Sequence, residues 1–161
     1  MRYAGIIKND FAAAPGVCLT FFVQGCGIRC PGCHNSELWD FNGGKEFTPE
    51  VLEEIKKGLT ANGIKRTLCI MGGEPLCNEN AFLTGLVISE MKKAIPDLKV
   101  WVWTGYEKDI IFNTTDPHVK RILETINGIV TGPYIKAFRD ITLPMRGSSN
   151  QEIITLKDWK L

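Results

Sequence analysis

Three cysteine thiols lie within eight residues of one another in the segment Phe21-Phe22-Val23-Gln24-Gly25-Cys26-Gly27-Ile28-Arg29-Cys30-Pro31-Gly32-Cys33-His34-Asn35. The C-x3-C-x2-C spacing of Cys26, Cys30 and Cys33 would suit one face of a helix. Pro31 and the glycines at positions 25, 27 and 32 instead favour a wrapped loop whose backbone comes close to a bound group. We therefore predict a loop that brings the three sulfurs together around a metal or a cluster.

The number of thiols bears on what the loop binds. Thiolates select zinc, copper(I) or iron–sulfur clusters, and a 4Fe-4S cluster normally takes one thiolate per iron. Three local thiols would leave one iron open to a substrate. The alternative is a structural zinc site on the three cysteines and His34, but chelating pairs are usually spaced by about two to five residues, whereas Cys33 and His34 are adjacent. A disulfide would need an oxidising compartment, which nothing in the sequence indicates.

The composition is that of an ordinary globular protein. Of 161 residues, 44% are hydrophobic and 23% are charged, which predicts a single domain over residues 1–161. A net charge of +1 without a basic stripe gives no support to nucleic acid as a partner. No apolar run approaches the roughly 18 residues of a membrane helix and no signal peptide is evident, so we predict a cytoplasmic protein. The other cysteines lie in or beside apolar segments and are predicted to be small core residues: Cys18, Cys69 and Cys77.

Periodicity and chain breakers predict alternating strands and helices. Thr48 can cap a helix that begins at Pro49, and Gly58 and Gly63 mark its exit. Pro117 divides the third helical region, residues 107–126. The predicted strands are residues 4–7, 17–23, 67–71, 99–104, 128–131 and 152–156, and the other helical segments are 78–95 and 107–126. This order predicts an α/β fold with a parallel sheet, and because a complete barrel needs about 250 residues, only a partial, incomplete parallel β/α barrel.

A second motif, Gly72-Gly73-Glu74-Pro75, follows the predicted strand at 67–71. Parallel α/β folds build their sites at the carboxyl ends of strands, and the cysteine segment leaves the carboxyl end of the preceding strand. We therefore expect both motifs at the same mouth, where the glycines admit a close ligand and Glu74 supplies a carboxylate. Taken alone, the motif is also compatible with a simple turn at the end of a strand.

The two motifs together, about forty residues apart, resemble those of radical S-adenosylmethionine enzymes. The resemblance narrows to the activating proteins of anaerobic ribonucleoside-triphosphate reductases and runs nearly end to end. It is carried by four segments: Cys26-Gly-Ile-Arg-Cys-Pro-Gly-Cys-His-Asn, Val100-Trp-Val-Trp-Thr-Gly-Tyr106, Gly132-Pro-Tyr and Arg146-Gly-Ser-Ser-Asn-Gln151.

The resemblance implies a partial barrel of the radical S-adenosylmethionine type and two bound groups. A 4Fe-4S cluster would be held by Cys26, Cys30 and Cys33, with S-adenosylmethionine on the fourth iron. The resemblance assigns other residues to the cofactor: Gly32, Cys33 and His34 along the adenine; Gly72, Gly73, Glu74 and Pro75 at the methionyl amino group; Thr104 and Gly105 beside the ribose. His34 has an alternative interpretation as a solvent-facing loop residue, and Trp101 and Trp103 are expected to pack in the core and at the rim.

The implied reaction is the reductive cleavage of S-adenosylmethionine, giving a 5′-deoxyadenosyl radical that takes hydrogen from a glycine of the reductase. Its partners would be the large subunit of the reductase and a low-potential electron donor such as flavodoxin or ferredoxin. Many family members have Asp where this chain has Thr131, so no carboxylate role is transferred there. The alternatives are activation of another glycyl-radical enzyme, a radical reaction on a small molecule, and a zinc-stabilised interaction module without catalysis.

Overall fold

The computed structural model describes residues 1–157 as one seven-stranded sheet with helices in its crossovers. The strands are β1 (Arg2–Asp10), β2 (Cys18–Val23), β3 (Lys45–Glu46), β4 (Thr67–Gly72), β5 (Val100–Trp103), β6 (Gly128–Thr131) and β7 (Glu152–Thr155). The helices are α1 (Pro49–Thr60), α2 (Asn78–Ala94), α3 (Lys108–Phe112) and α4 (Pro117–Thr125). The longest, α2, has 17 residues, and none of the described helices could span a bilayer.

The middle of the sheet is parallel, as predicted. β2 pairs with β4, β4 with β5 and β5 with β6, and each connection contains one or two of the helices. The register sets Val23 opposite Gly72 and Trp103 opposite Val130. The carboxyl ends of all four strands therefore reach the same edge of the sheet, which is the edge where the two motifs begin.

The sides of the sheet are antiparallel, and the sheet is open. Its strand order is β3-β1-β2-β4-β5-β6-β7, with β1 antiparallel to β2 and β3, and β7 antiparallel to β6. The two outermost described strands do not pair with each other. The fold is thus mixed α/β, and the strand order does not by itself make a partial barrel. The short strand β3 was not predicted, because two exposed polar residues carry no hydrophobic alternation.

Side chains of the parallel strands alternate between two apolar faces, as expected for strands buried on both sides. One face packs with residues of α1, α2 and α4 in the main core. The other face contains Cys18, Cys69 and Trp101, which are fully buried beneath Ala13 and Ala14. Cys77 is also buried and all six cysteines are free, so the prediction that the three cysteines outside the loop are core residues is confirmed.

Two predictions about α1 are wrong in detail. Thr48 precedes the helix but makes no capping hydrogen bond. Its hydroxyl instead bonds the carboxylate of Glu50, which lowers the pKa of that exposed carboxyl. Gly58 lies inside the helix, where a Cβ would come within 2.6 Å of Leu19 Cδ1. Glycine is needed at this position because α1 packs closely against β2, and it does not end the helix.

Candidate functional site

The cysteine loop, residues 24–39, leaves β2 and closes on its own start. The N–H of Gly25 donates to the carbonyl of Leu38 at 2.8 Å, and the N–H of Cys26 donates to the carbonyl of Trp39 at 3.1 Å. Gly25 has a φ of 97°, and a Cβ there would overlap a neighbouring aromatic ring. The three cysteines thus lie on a wrapped loop, as predicted, and not on a helix.

The segment Gly72-Gly73-Glu74-Pro75 lies directly against the root of this loop. The N–H of Gly73 donates to Val23 at 2.9 Å, and the N–H of Glu74 donates to Gly25 at 2.8 Å. A Cβ on Gly73 would stand 2.2 Å from the carbonyl oxygen of Gly25. The structure brings the two motifs together as predicted. Glycine is needed at position 73 because two backbone segments touch there. The predicted close approach of a ligand to Gly73, which also lines the pocket, stays a prediction.

Glu74 joins the end of β4 to the end of β5. Its side chain is 1% exposed, and one carboxyl oxygen accepts the N–H of Leu76 at 3.0 Å and the hydroxyl of Thr104 at 2.7 Å. The other oxygen accepts the N–H of Gly105 at 2.7 Å. Burial raises the pKa of Glu74 to about 7, against the opposing effect of these three hydrogen bonds. Both oxygens therefore already have partners within the protein.

Asn80, which sequence reasoning missed, holds the two motifs together. Its side-chain amide donates to the carbonyls of Gln24 at 3.0 Å, Gly25 at 3.1 Å and Glu74 at 3.0 Å. The residue is 4% exposed and sits in the first turns of α2. The sequence indicated at most that Asn80 is on the buried face of the helix, three residues before the apolar Leu83, and not which groups its amide contacts.

A pocket at this edge of the sheet unites the three cysteines with the neighbouring strand ends. The thiols are half-buried. Burial raises the pKa of Cys30, the nearby thiols of Cys33 and Cys26 raise it further, and the N–H of Tyr134 opposes them. The predicted residues that line the pocket are Cys26, Cys30, Cys33, Gly72, Gly73, Glu74, Thr104 and Gly105.

Three predicted contact residues do not line this pocket. Gly32 and His34 are exposed, and Pro75 is buried. Gly32 has a φ of 76°, and the side chain of Lys136 packs beside it, 3.2 Å from the position of a Cβ. The roles of these three residues towards the cofactor stay predictions.

The loop between β6 and β7, residues 132–151, forms a further wall of the pocket, and its part in the site was not predicted. Its lining residues are Gly132, Tyr134 and Gln151. Through the N–H of Tyr134 it also contacts the thiol of Cys30. The sequence signal was the motif at 146–151, which was one of the segments that carry the resemblance.

The residues present fit a 4Fe-4S cluster with three protein ligands. The pocket contains three thiols, and His34, the fourth ligand of the zinc alternative, is not among its lining residues. Within residues 1–157, no three His, Cys, Asp or Glu side chains are arranged around a single metal position. In a 4Fe-4S cluster each thiolate binds a different iron, and the pocket offers three thiols for this role.

Comparison with known proteins supports a 4Fe-4S cluster in this chain. Residues 12–154 match the family described as a 4Fe-4S single cluster domain. Three curated relatives are named anaerobic ribonucleoside-triphosphate reductase-activating protein. The one from Salmonella typhimurium is 33% identical and the one from Escherichia coli K12 is 32% identical, each over 98% of this chain and 100% of the relative. The relative from Enterobacteria phage T4 is 32% identical over 99% of both chains. The similarity therefore covers the whole described fold.

Proposed function

Because the chain belongs to the family of anaerobic ribonucleoside-triphosphate reductase-activating proteins and carries its 4Fe-4S single cluster domain, we propose that it activates such a reductase by installing a glycyl radical. The observation that supports this most directly is the single pocket that contains Cys26, Cys30 and Cys33 together with Glu74. A binding module stabilised by zinc would have no need of a second motif packed against its metal loop.

The chemistry comes from the bound groups. When bound, the two groups would supply a one-electron reductive cleavage of S-adenosylmethionine to methionine and a 5′-deoxyadenosyl radical, which would take a hydrogen atom from a glycine Cα of the reductase to give 5′-deoxyadenosine and a glycyl radical. A low-potential donor such as flavodoxin or ferredoxin would supply the electron. We propose that this reaction takes place in the cytoplasm.

The residues of the chain would hold and orient these groups. We assign Cys26, Cys30 and Cys33 to the cluster, which leaves one iron without a protein ligand. The cofactor would lie against the segments that reach the same edge of the sheet, which are Gly32, Cys33 and His34 of the cysteine loop, residues 72–75, and Thr104 with Gly105. The hydrogen bonds of Glu74 and Asn80 fix these segments relative to one another before any ligand arrives.

The open sheet is what a macromolecular substrate requires. We propose that the parallel strands β2, β4, β5 and β6 form the partial barrel of radical S-adenosylmethionine enzymes. The antiparallel strands at the sides do not close the sheet. Such an architecture can admit a polypeptide segment to the pocket at the carboxyl ends of the strands.

The test is the formation of a glycyl radical on the purified reductase. The chain is reconstituted anaerobically with iron and sulfide, reduced, and mixed with S-adenosylmethionine and the reductase. We expect a glycyl-radical doublet in the EPR spectrum, and deuterium from a labelled glycine Cα in the 5′-deoxyadenosine. If the label stays in the reductase while a small metabolite becomes labelled, the chain acts on small molecules and the proposal is wrong.

A matched pair of variants tests the ligand assignment. Cys30→Ala should abolish the cluster spectrum and the cleavage of S-adenosylmethionine, because every other cysteine outside the loop is buried away from the pocket. Cys69→Ala is the control: Cys69 is fully buried and does not line the pocket, so this variant should keep its iron and sulfide. The assignment fails if Cys30→Ala retains a full cluster.

A further inference from the structure

We propose that the tip of the β6–β7 loop, residues 135–141, is the surface on which the glycine-bearing segment of the reductase docks. The inference rests on the proposed function, because it assigns a place to the polypeptide substrate of that reaction. Four properties of the loop support it: its position, its rigidity, its exposed apolar side chains and its unpaired cations.

The tip lies next to the pocket mouth. Residues just before it, Gly132 and Tyr134, line the pocket with the three cysteines. Lys136, within the tip, packs beside Gly32 of the cysteine loop. The tip is therefore part of the surface that surrounds the pocket mouth.

The tip is held in place by the motif at residues 146–151. Gln151 accepts the N–H of Gly147 at 2.9 Å and of Ser148 at 3.1 Å, and it donates to the carbonyl of Gly132 at 3.0 Å. The N–H of Ser149 donates to the carbonyl of Phe138 at 2.9 Å. These hydrogen bonds hold the loop in place although few of its residues are buried. A surface ordered before binding loses less conformational entropy when a partner docks.

The tip exposes large apolar side chains to solvent. Ile135 is 37% exposed, Phe138 51% and Ile141 81%. They fall within seven residues of the chain, on a segment that begins beside the pocket. Scattered exposed apolar residues need no explanation, but a cluster on a rigid loop beside a functional site marks a contact surface.

Two cations flank these apolar groups and favour an acidic partner. Lys136 and Arg139 form no ion pair with any side chain of residues 1–157. The one carboxylate of the tip, Asp140, bonds the backbone and hydroxyl of Thr142 instead. The occupant that fits is a polypeptide segment with apolar and acidic side chains beside its glycine, because charge complementarity steers and orients association.

The experiment measures the affinity of the reconstituted holoprotein for the purified reductase by anaerobic calorimetry. The double variant Phe138→Ala/Ile141→Ala should bind about 10- to 100-fold more weakly than the wild type, as expected when two central contacts of an interface are truncated. The matched control is Phe11→Ala. Phe11 is 74% exposed, but it lies in the connection that precedes β2, at the opposite end of that strand from the cysteine loop.

A charge variant tests the second half of the proposal. Arg139→Glu should weaken binding at low salt, and the difference from the wild type should shrink as the salt concentration rises, since exposed charges are screened within about 10 Å at 0.1 M. The visible spectrum of the cluster is recorded for each variant, so that a loss of affinity is not confused with a loss of the cluster.

Two outcomes separate this inference from the proposed function. If the wild type installs a glycyl radical but the double variant binds the reductase as tightly as Phe11→Ala does, the reductase docks elsewhere and the inference is overturned. If the wild type installs no radical on the reductase, the proposed function fails and the inference falls with it. The inference is supported if the double variant binds the reductase more weakly than both the wild type and Phe11→Ala while its cluster spectrum is intact.

Discussion

Replacing Asn80 by alanine should loosen the site without touching any residue assigned to the cluster. The variant removes one side-chain amide that donates to three backbone carbonyls, at Gln24, Gly25 and Glu74. Two of these carbonyls keep another hydrogen bond, because Gly25 also accepts the N–H of Glu74 and the carbonyl of Glu74 also accepts the thiol of Cys77. Asn80 is the side chain on which the buried carbonyl of Gln24 depends.

The size of the effect follows from this difference between the carbonyls. A buried acceptor left unsatisfied costs about 1–3 kcal/mol, and each of the two other lost hydrogen bonds contributes about 0.5–1.5 kcal/mol. Because one amide has two hydrogens to share among three acceptors, the contributions do not add fully. We expect a loss of about 2–4 kcal/mol in the free energy of unfolding, a large part of the 5–15 kcal/mol typical of a folded domain.

The assay is anaerobic urea unfolding of the reconstituted protein, followed by circular dichroism, with the affinity for S-adenosylmethionine measured alongside. Asn78→Ala is the matched control, since Asn78 is the same residue type in the same helical turn but is exposed. We expect Asn80→Ala to lose both stability and cofactor affinity. If the two variants have free energies of unfolding within about 0.5 kcal/mol of each other, the usual range for surface substitutions, the Asn80 amide does not stabilise the contact between the two motifs.

Two further predictions concern Glu74 and Gly73. The pKa of Glu74 rises from 4.5 to about 7 on folding, so the protonated carboxyl favours the folded state. This contribution to the free energy of unfolding is fully present below about pH 4.5 and is lost as the pH rises through 7. Between pH 5 and pH 8 the wild type should therefore lose roughly 2–3 kcal/mol more stability than Glu74→Gln, and equal losses in urea unfolding would contradict the shift. Gly73→Ala places a Cβ 2.2 Å from the carbonyl oxygen of Gly25 and should destabilise by about 1–3 kcal/mol. Gly27→Ala, whose Cβ meets nothing within 4 Å, is its control in a thermal melt, and equal melting temperatures would exclude the clash.

The sequence predicted the site best where its geometry follows from strand direction. Parallel strands bring their carboxyl ends to one edge, so the cysteine loop after β2 and the segment 72–75 at the end of β4 had to meet once both strands were recognised. Thr104 and Gly105, which the resemblance assigned to the cofactor, follow β5 and line the same pocket. Pro117 and the apolar periodicity likewise gave α4 and the strand Gly128–Thr131 correctly.

What the sequence did not predict depends on contacts between distant segments. Asn80 bonds a carbonyl 56 residues earlier in the chain, and no local pattern records that approach. Gly58 was interpreted as the end of a helix. Glycine is in fact needed there because a Cβ would collide with the side chain of Leu19, which belongs to another element and is invisible to a local pattern. The β6–β7 loop has no regular hydrophobic period, so its fold is set by the side-chain hydrogen bonds of Gln151 and not by a pattern that sequence reasoning reads.

The hydrogen bonds of the site link neighbouring strands in pairs, and this arrangement explains how a small open sheet can hold a defined pocket. Asn80 ties the loop after β2 to the end of β4, and Glu74 ties the end of β4 to the end of β5. The N–H of Tyr134 ties the loop after β6 to Cys30. An open sheet has no closed circle of strands to fix the spacing of its loops, so side chains must do it. A site that is ordered before binding loses less conformational entropy when the ligand binds. We therefore expect substitutions at Asn80 and Glu74 to weaken cofactor affinity more than their distance from the thiols suggests.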